Sequence, residues 1–269
     1  MGLEAGQDQG SILAGRTVAL AFFEPSTRTR LSFDLAAQRL GAHVLTFNPG
    51  TSSTTKGETL RDTVLTIGAI GADIVVVRHS EEGVPELVEG WTGLPVVNAG
   101  DGANEHPTQA LLDALTIKRH FGRLEGLRVG IVGDIAHSRV AGSLIHALPA
   151  LGLEVTLVAP GDWLPPAGQL RVTSDLDEEL PGLDIVYLLR VQTERGGEIS
   201  DDYIDRFQMD TRRSALLPEA AVIMHPGPMN RGVEIAETVA DSPRSLIIEQ
   251  VRNGVPTRMA VLASLGGHT

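Results

Sequence analysis

The sequence predicts an α/β protein built as two domains, each a parallel β-sheet flanked by helices, and three observations predict it. Short β-rich apolar runs alternate with helix-period segments from end to end, which is the pattern of βαβ units. The runs form two sets of four, separated by the stretch HFGRLEG at 120–126. A hydrophobic content of 42% against 21% charged residues, over 269 residues, suffices for two well-buried cores.

In the first set, the run 16–23 (RTVALAFF) reads as a strand that Pro25 stops, and Ser26-Thr27-Arg28-Thr29 opens a helix over 27–40. Strand 43–48 follows, then the loop 48–58 (NPGTSSTTKGE), which has no apolar content, and a helix over 58–70. Strand 73–79 (DIVVVRH), helix 84–91 and strand 95–99 lead into the glycine-rich turn NAGDGANE. Pro107 suits the first turn of a helix over 107–121, where its missing N–H costs nothing. The second set comprises strands 127–133, 154–159, 184–190 and 221–225 with helices between, and a last helix over about 243–265 has a weak point at Asn253-Gly254. The segment 160–174 (PGDWLPPAGQLRVTS) shows no obvious helix. The expected domains are 1–122 and 123–269.

No apolar run approaches the roughly 18 to 20 residues of a membrane span. The start MGLEAGQDQG has neither the basic region nor the apolar stretch of a signal peptide, so a cytoplasmic protein is expected. Zero cysteines exclude disulfides, thiolate metal ligands and cysteine nucleophiles. A formal charge of −12, with no run of Lys and Arg, argues against a nucleic-acid partner. An anionic ligand would need a local arginine cluster acting against the global field. Of the 22 basic residues only Lys56 and Lys118 are lysines, which singles out Lys56 within its polar loop.

Several stretches carry chemistry. Ser26 and Thr27 hydroxyls, the Arg28 guanidinium and the free N–H groups of a helix start can converge on one anion, and a guanidinium suits bidentate phosphate contact. Read alone, the same residues fit an ordinary N-cap with solvated arginines equally well. In open α/β sheets, however, ligands sit at the carboxyl ends of strands. Arg78 ends the third strand, and His106 stands at a strand-to-helix junction with Gln109 one turn later. Arg139 and Arg190 follow two strands of the second set, and two such arginines suit a dicarboxylate, one carboxylate each. VGIVGD lacks the G-x-G-x-x-G spacing of a dinucleotide site.

FFEPSTRTRLSF, KGETLRDT, RHSEEG, NAGDGANEHPTQALLD, RVQTER and HPGPMNRGVE, in this order over residues 16 to 265, resemble the signature blocks of the aspartate and ornithine transcarbamoylases. The resemblance implies transfer of the carbamoyl group of carbamoyl phosphate to an amine, without cofactor or metal, in de novo pyrimidine biosynthesis for the aspartate enzymes. It assigns the phosphate to Ser26, Thr27, Arg28 and Thr29, and the carbonyl oxygen to Thr29, Arg78 and His106, the three catalytic candidates. Gln109 and the backbone oxygens around Gly227 and Pro228 are implied to receive the carbamoyl amide. Arg139, and Arg190 with Gln192, are implied to hold the two carboxylates of aspartate. A loop such as 48–58 reaches into a neighbouring subunit's site, which implies a homotrimer completed by Lys56 and by Ser52 or Ser53. The last helix, about 250–266, is expected to return to the first domain, and substrate binding to draw the halves together.

Two features depart from the family pattern. Only fifteen residues precede the first strand, where an amino-terminal helix is expected, and 160–174 is shorter than usual. Arg190-Val191-Gln192 and the absence of cysteine favour aspartate over ornithine or another amine as acceptor. A non-catalytic scaffold subunit would need a damaged site, and the signature residues stand intact. Trimers acting alone, paired with regulatory chains, or assembled with dihydroorotase are all compatible with the surface charge.

Overall fold

The computed structural model describes residues 12–51, 57–164, 168, 170–191, 199 and 201–266. By backbone contact the chain divides into two compact units, 1–108 with 252–269 and 109–251.

In the first unit, β1 (Thr17–Phe22), α1 (Thr27–Arg39), β2 (His43–Phe47), α2 (Leu60–Ala69), β3 (Ile74–His79), α3 (Val84–Thr92) and β4 (Val96–Asp101) follow in order, and α4 (Pro107–Phe121) starts here and crosses the division. The four strands form one parallel sheet in the order β2-β1-β3-β4. Strands buried on both faces need apolar residues at every position, and β1 and β3 supply them. Val18, Leu20, Phe22, Ile74 and Val76 face Phe33, Ala36 and Ala37 of α1, whereas Ala19, Ala21, Val75 and Val77 face Val64 and Ile67 of α2 and Val84 and Val88 of α3.

The second unit contains β5 (Arg128–Val132), α5 (Arg139–Ala150), β6 (Glu154–Val158), β7 (Arg171–Thr173), α6 (Leu176–Glu179), β8 (Ile185–Leu188), α7 (Asp201–Phe207), α8 (Thr211–Ser214), β9 (Val222–Met224) and α9 (Glu237–Ala240). Its strands form a second parallel sheet, ordered β7-β6-β5-β8-β9. One face packs Ile131, Leu157 and Tyr187 against Leu144 and Leu148 of α5, and the other packs Val158, Val186 and Ile223 against Leu180, Tyr203 and Phe207. The last helix, α10 (Ile247–Gly266), also crosses the division, and its Met259 and Leu262 lie in the core of the first unit with Phe33 and Leu13. The Arg258 guanidinium stacks 5.0 Å from the Phe33 ring.

The sequence pattern needs three corrections. The second sheet has five strands rather than four, because β7 is a three-residue edge strand inside 160–174 whose Arg171 and Val172 are exposed and carry no apolar run. The last helix begins at Ile247 because 244–246 is held by β9, with Ile223 N donating to Arg244 O and Leu246 N to Ile223 O, both 2.9 Å. Nor does it weaken at Asn253-Gly254. Asn253 is buried, its carbonyl accepts from the Thr257 hydroxyl at 2.8 Å, and the helix continues through Pro256.

Leu262 is fully buried in α10, so Leu262→Ala should lower stability by about 2–5 kcal/mol through lost burial and the cavity left behind. A urea titration of the two proteins checks this as a shift of the midpoint at similar slope.

Candidate active site

Parallel strands end on one edge of their sheet, and in the first unit that edge gathers the residues singled out by sequence. Phe22, the last residue of β1, pairs in register with Arg78, and Phe23 N donates to Arg78 O at 2.9 Å, so the chain leaving β1 stays beside β3. The Arg78 guanidinium is anchored from two sides, by Glu24 at 3.2 Å and by the carbonyl of Ala99, also at 3.2 Å. Ser26 is the N-cap of α1, with extended backbone, but its side chain makes no capping hydrogen bond. Thr59, Ser138, Asp175 and Asp210 each use theirs to cap their helices. The first turn of α1 also carries no acidic residue, so its N–H groups and dipole are not neutralised from within. Thr29 and His106 are both buried, and Thr29 Oγ1 lies 3.5 Å from His106 Nε2.

The turn leading to His106 is organised by Asp101, a fully buried carboxylate that sequence reading missed. Its oxygens accept from Asn98 Nδ2 at 2.8 Å, Gly83 N at 2.9 Å, Asn104 Nδ2 at 3.0 Å and Glu105 N at 3.2 Å. Burial by itself would raise the Asp101 pKa, but these donors together outweigh it and hold the group below the ordinary carboxylate value.

In the second unit the chain runs from β5 to β6 and β7 on one side and then to β8 and β9 on the other, so the loops after β5 and β8 part at a topological switch point. Arg139 is the first residue of α5, which follows β5, and is buried; Arg190 lies two residues past β8. Gly133, just after β5, has φ +118, and a Cβ there would meet the Leu189 carbonyl and the Tyr203 hydroxyl at 3.1 Å each. That glycine serves close approach of two chain segments rather than a dinucleotide.

The turn after β9 is held from beneath. Gly227 N donates to His225 Nδ1 at 2.8 Å, which leaves the imidazole proton on Nε2, facing Glu234 Oε1 at 3.2 Å. Glu234 Oε1 also accepts from Asn230 N at 2.5 Å, and the Asn230 side chain donates to Val191 O at 3.0 Å, tying this turn to the segment after β8. The Gly227–Pro228 peptide is cis, and Gly227 has φ +64. Gln109 donates through Nε2 to Asp113 at 3.0 Å, and Tyr187 donates to the same carboxylate at 2.7 Å. Burial raises the Tyr187 phenol well above its ordinary pKa, and the charge of Asp113 adds to the effect.

Two domain descriptions of one family match the chain in order. The aspartate/ornithine carbamoyltransferase carbamoyl-P binding domain covers residues 3–119, and the Asp/Orn binding domain covers 125–265. The chain belongs to the aspartate/ornithine carbamoyltransferase family. Within that family it is 55% identical over 262 residues to the aspartate carbamoyltransferase catalytic subunit of Acidothermus cellulolyticus, spanning 95% of this chain and 81% of that one. The corresponding subunit of Gluconobacter oxydans is 55% identical over 261 residues, with coverages of 94% and 83%. Aspartate transcarbamoylase from Trypanosoma cruzi, solved with carbamoyl aspartate and phosphate, superposes with a TM-score of 0.85 at 36% identity, covering 95% of this chain and 84% of that one.

The carbamoyltransferase signature residues of the first unit, Ser26 to Thr29, Arg78 and His106, thus share one sheet edge. Gln109, Arg139, Arg190, Gly227 and Pro228 belong to the second unit. Ser52, Ser53, Lys56 and Gln192 lie outside the described residues. Sequence reading missed Glu24, Asp101, Asp113, Tyr187, Gln250, His225 and Glu234, which hold the candidate residues in place. Only the spacing of Asp113, one helical turn after Gln109, could have pointed to any of them.

Asp101→Asn replaces one acceptor oxygen with a donor facing other donors, and should cost about 1–3 kcal/mol at pH 7. Because the folded pKa is depressed, the carboxylate's contribution is present above the unfolded value and is lost as pH falls through the folded one. Thermal melts from pH 7 to pH 3 should therefore show the gap between wild type and variant closing at the acid end.

Proposed function

We propose that the chain transfers the carbamoyl group of carbamoyl phosphate to the amine of L-aspartate, giving N-carbamoyl-L-aspartate and phosphate, the second step of de novo pyrimidine biosynthesis. The observation that carries this reading is the convergence of Ser26 to Thr29, Arg78 and the Thr29–His106 pair on one sheet edge of a chain 55% identical to aspartate carbamoyltransferase catalytic subunits. Residues 1–122 serve carbamoyl phosphate and 123–269 serve aspartate, with the last helix, about 250–266, belonging with the first part.

The first turn of α1 takes the phosphate, which is both handle and leaving group. The neutral amine attacks the carbonyl carbon, and negative charge builds on the carbonyl oxygen as the carbon becomes tetrahedral. Thr29, Arg78 and His106 supply donors aimed at that oxygen, and donors fixed beforehand need no reorganisation at the moment of reaction. Glu24 and Ala99 O hold Arg78 in one orientation for this purpose. His106 acts as donor rather than base, since the leaving phosphate can accept the amine proton. Gln109 and the carbonyls of the 225–228 turn accept from the carbamoyl amino group. Arg139 and Arg190, with Gln192, take the carboxylates of aspartate, and an acceptor such as ornithine would place its ammonium against those arginines. The reaction proceeds in the cytoplasm in a homotrimer, with Lys56 and Ser52 or Ser53 reaching a neighbouring subunit's site.

Product formation by the purified chain, assayed with L-aspartate and L-ornithine in parallel, should appear with aspartate alone and vanish in Arg190→Ala. Arg78→Ala should lower kcat by about 10²- to 10³-fold, the usual loss of one oxyanion donor. Silence of the wild-type trimer with both amines would move the reading to a scaffold subunit. Mixing the separately inactive variants Lys56→Ala and Arg78→Ala under conditions that exchange subunits should restore part of the activity, because a shared site then recovers one intact copy.

A further inference from the structure

Gln109, Asp113, Tyr187 and Gln250 form a hydrogen-bonded set in which no member is more than 7% exposed. Its centre is the carboxylate of Asp113, which can only accept. Oδ1 takes Nε2 of both Gln109, at 3.0 Å, and Gln250, at 2.8 Å, and Oδ2 takes the Tyr187 hydroxyl at 2.7 Å. An acceptor-only group decides which way a carboxamide faces, because only its nitrogen end can donate. Both glutamines therefore turn nitrogen toward Asp113 and oxygen away from it. The oxygen of Gln250 accepts from His225 N at 2.9 Å, at the root of the 225–228 turn. The oxygen of Gln109 has no protein hydrogen bond among the described residues.

We propose that Asp113 is a positioning residue that makes the site select a carbamoyl amino group. One buried carboxylate sets both families of acceptors: the Gln109 oxygen directly, and the carbonyls of the 225–228 turn through Gln250 and His225 N. Two acceptors presented together match a donor NH2 and reject a methyl of the same shape, since the acceptors would then go unpaired. The proposal rests on the carbamoyl-transfer reading above, in which Gln109 and that turn receive the amino group. It adds what keeps Gln109 from presenting its own NH2, which would repel the substrate's.

Acetyl phosphate is the probe, because it carries a methyl where carbamoyl phosphate carries NH2. The KM for carbamoyl phosphate and the Ki values of acetyl phosphate and inorganic phosphate are measured on the full chain at saturating aspartate. In Asp113→Asn the new amide offers a donor to Gln109 and permits its reversal. The KM for carbamoyl phosphate should rise by about 10- to 100-fold, while the two Ki values stay within about 2-fold. Tyr187→Phe deletes one hydroxyl and should shift the same ratio in the same direction by about 3- to 10-fold, so it decides the matter where Asp113→Asn does not fold. Equal weakening of all three ligands, or an unchanged ratio in a folded Tyr187→Phe, overturns the proposal. A wild type that is active with aspartate but binds acetyl phosphate as tightly as carbamoyl phosphate also overturns it and leaves the reaction assignment standing. A wild type that transfers no carbamoyl group removes the reading beneath it.

Discussion

Parallel pairing obliges every strand of a sheet to end on the same edge, and the chemistry of this molecule depends on that constraint. In each sheet the chain leaves a central strand, β1 or β5, first to one side and later to the other. The loops that follow the two diverging strands part company there and leave a crevice at the carboxyl edge. The first turn of α1 and Arg78 flank the crevice of the first sheet, and Arg139 and Arg190 follow the two strands that bound that of the second. An antiparallel sheet would have sent alternate loops to opposite edges and scattered these groups.

Buried carboxylates hold the loops that leave those edges. Asp101 organises the turn before His106, Asp113 the glutamines, and Glu234 the turn after β9. Taking a carboxylate out of water is costly unless donors replace the hydration it loses. Asp101 and Asp113 are each met by donors on both oxygens, and Glu234 by two donors on Oε1, and each ties together several segments. The same cost makes them good anchors, since any movement of a loop would strand a buried charge. A site whose donors and acceptors are fixed in this way has little reorganisation left to do when charge develops on a substrate. In a chain of overall charge −12, the Arg78 guanidinium is held at the sheet edge by Glu24 and the Ala99 carbonyl.

The elements were legible where apolar content is continuous, and less so where it is not. β1 and β3 are buried on both faces and read as unbroken apolar runs. β7 escaped because a three-residue edge strand whose Arg171 and Val172 are exposed needs no apolar pattern, only free backbone partners on β6. The expected weak point at Asn253-Gly254 reflects intrinsic propensity, which tertiary burial of Asn253 and Thr257 overrides. The candidate residues stood out because they lie in the blocks that resemble the family signatures, at strand ends and helix starts. Those that orient them were not, since Asp113 and Tyr187 are 74 positions apart in the chain and each alone looks like an ordinary polar residue of a helix or strand.

By itself, then, the sequence determined the class of fold, the order of its strands apart from β7, the family, and the residue types offered at each strand end, because periodicity and local motifs are properties of neighbours in the chain. Tertiary structure alone decided the order of strands within each sheet, the side of the switch point on which each loop falls, and the partners of every buried polar group. Those outcomes depend on pairing and desolvation between segments far apart in the chain, and no local pattern records them.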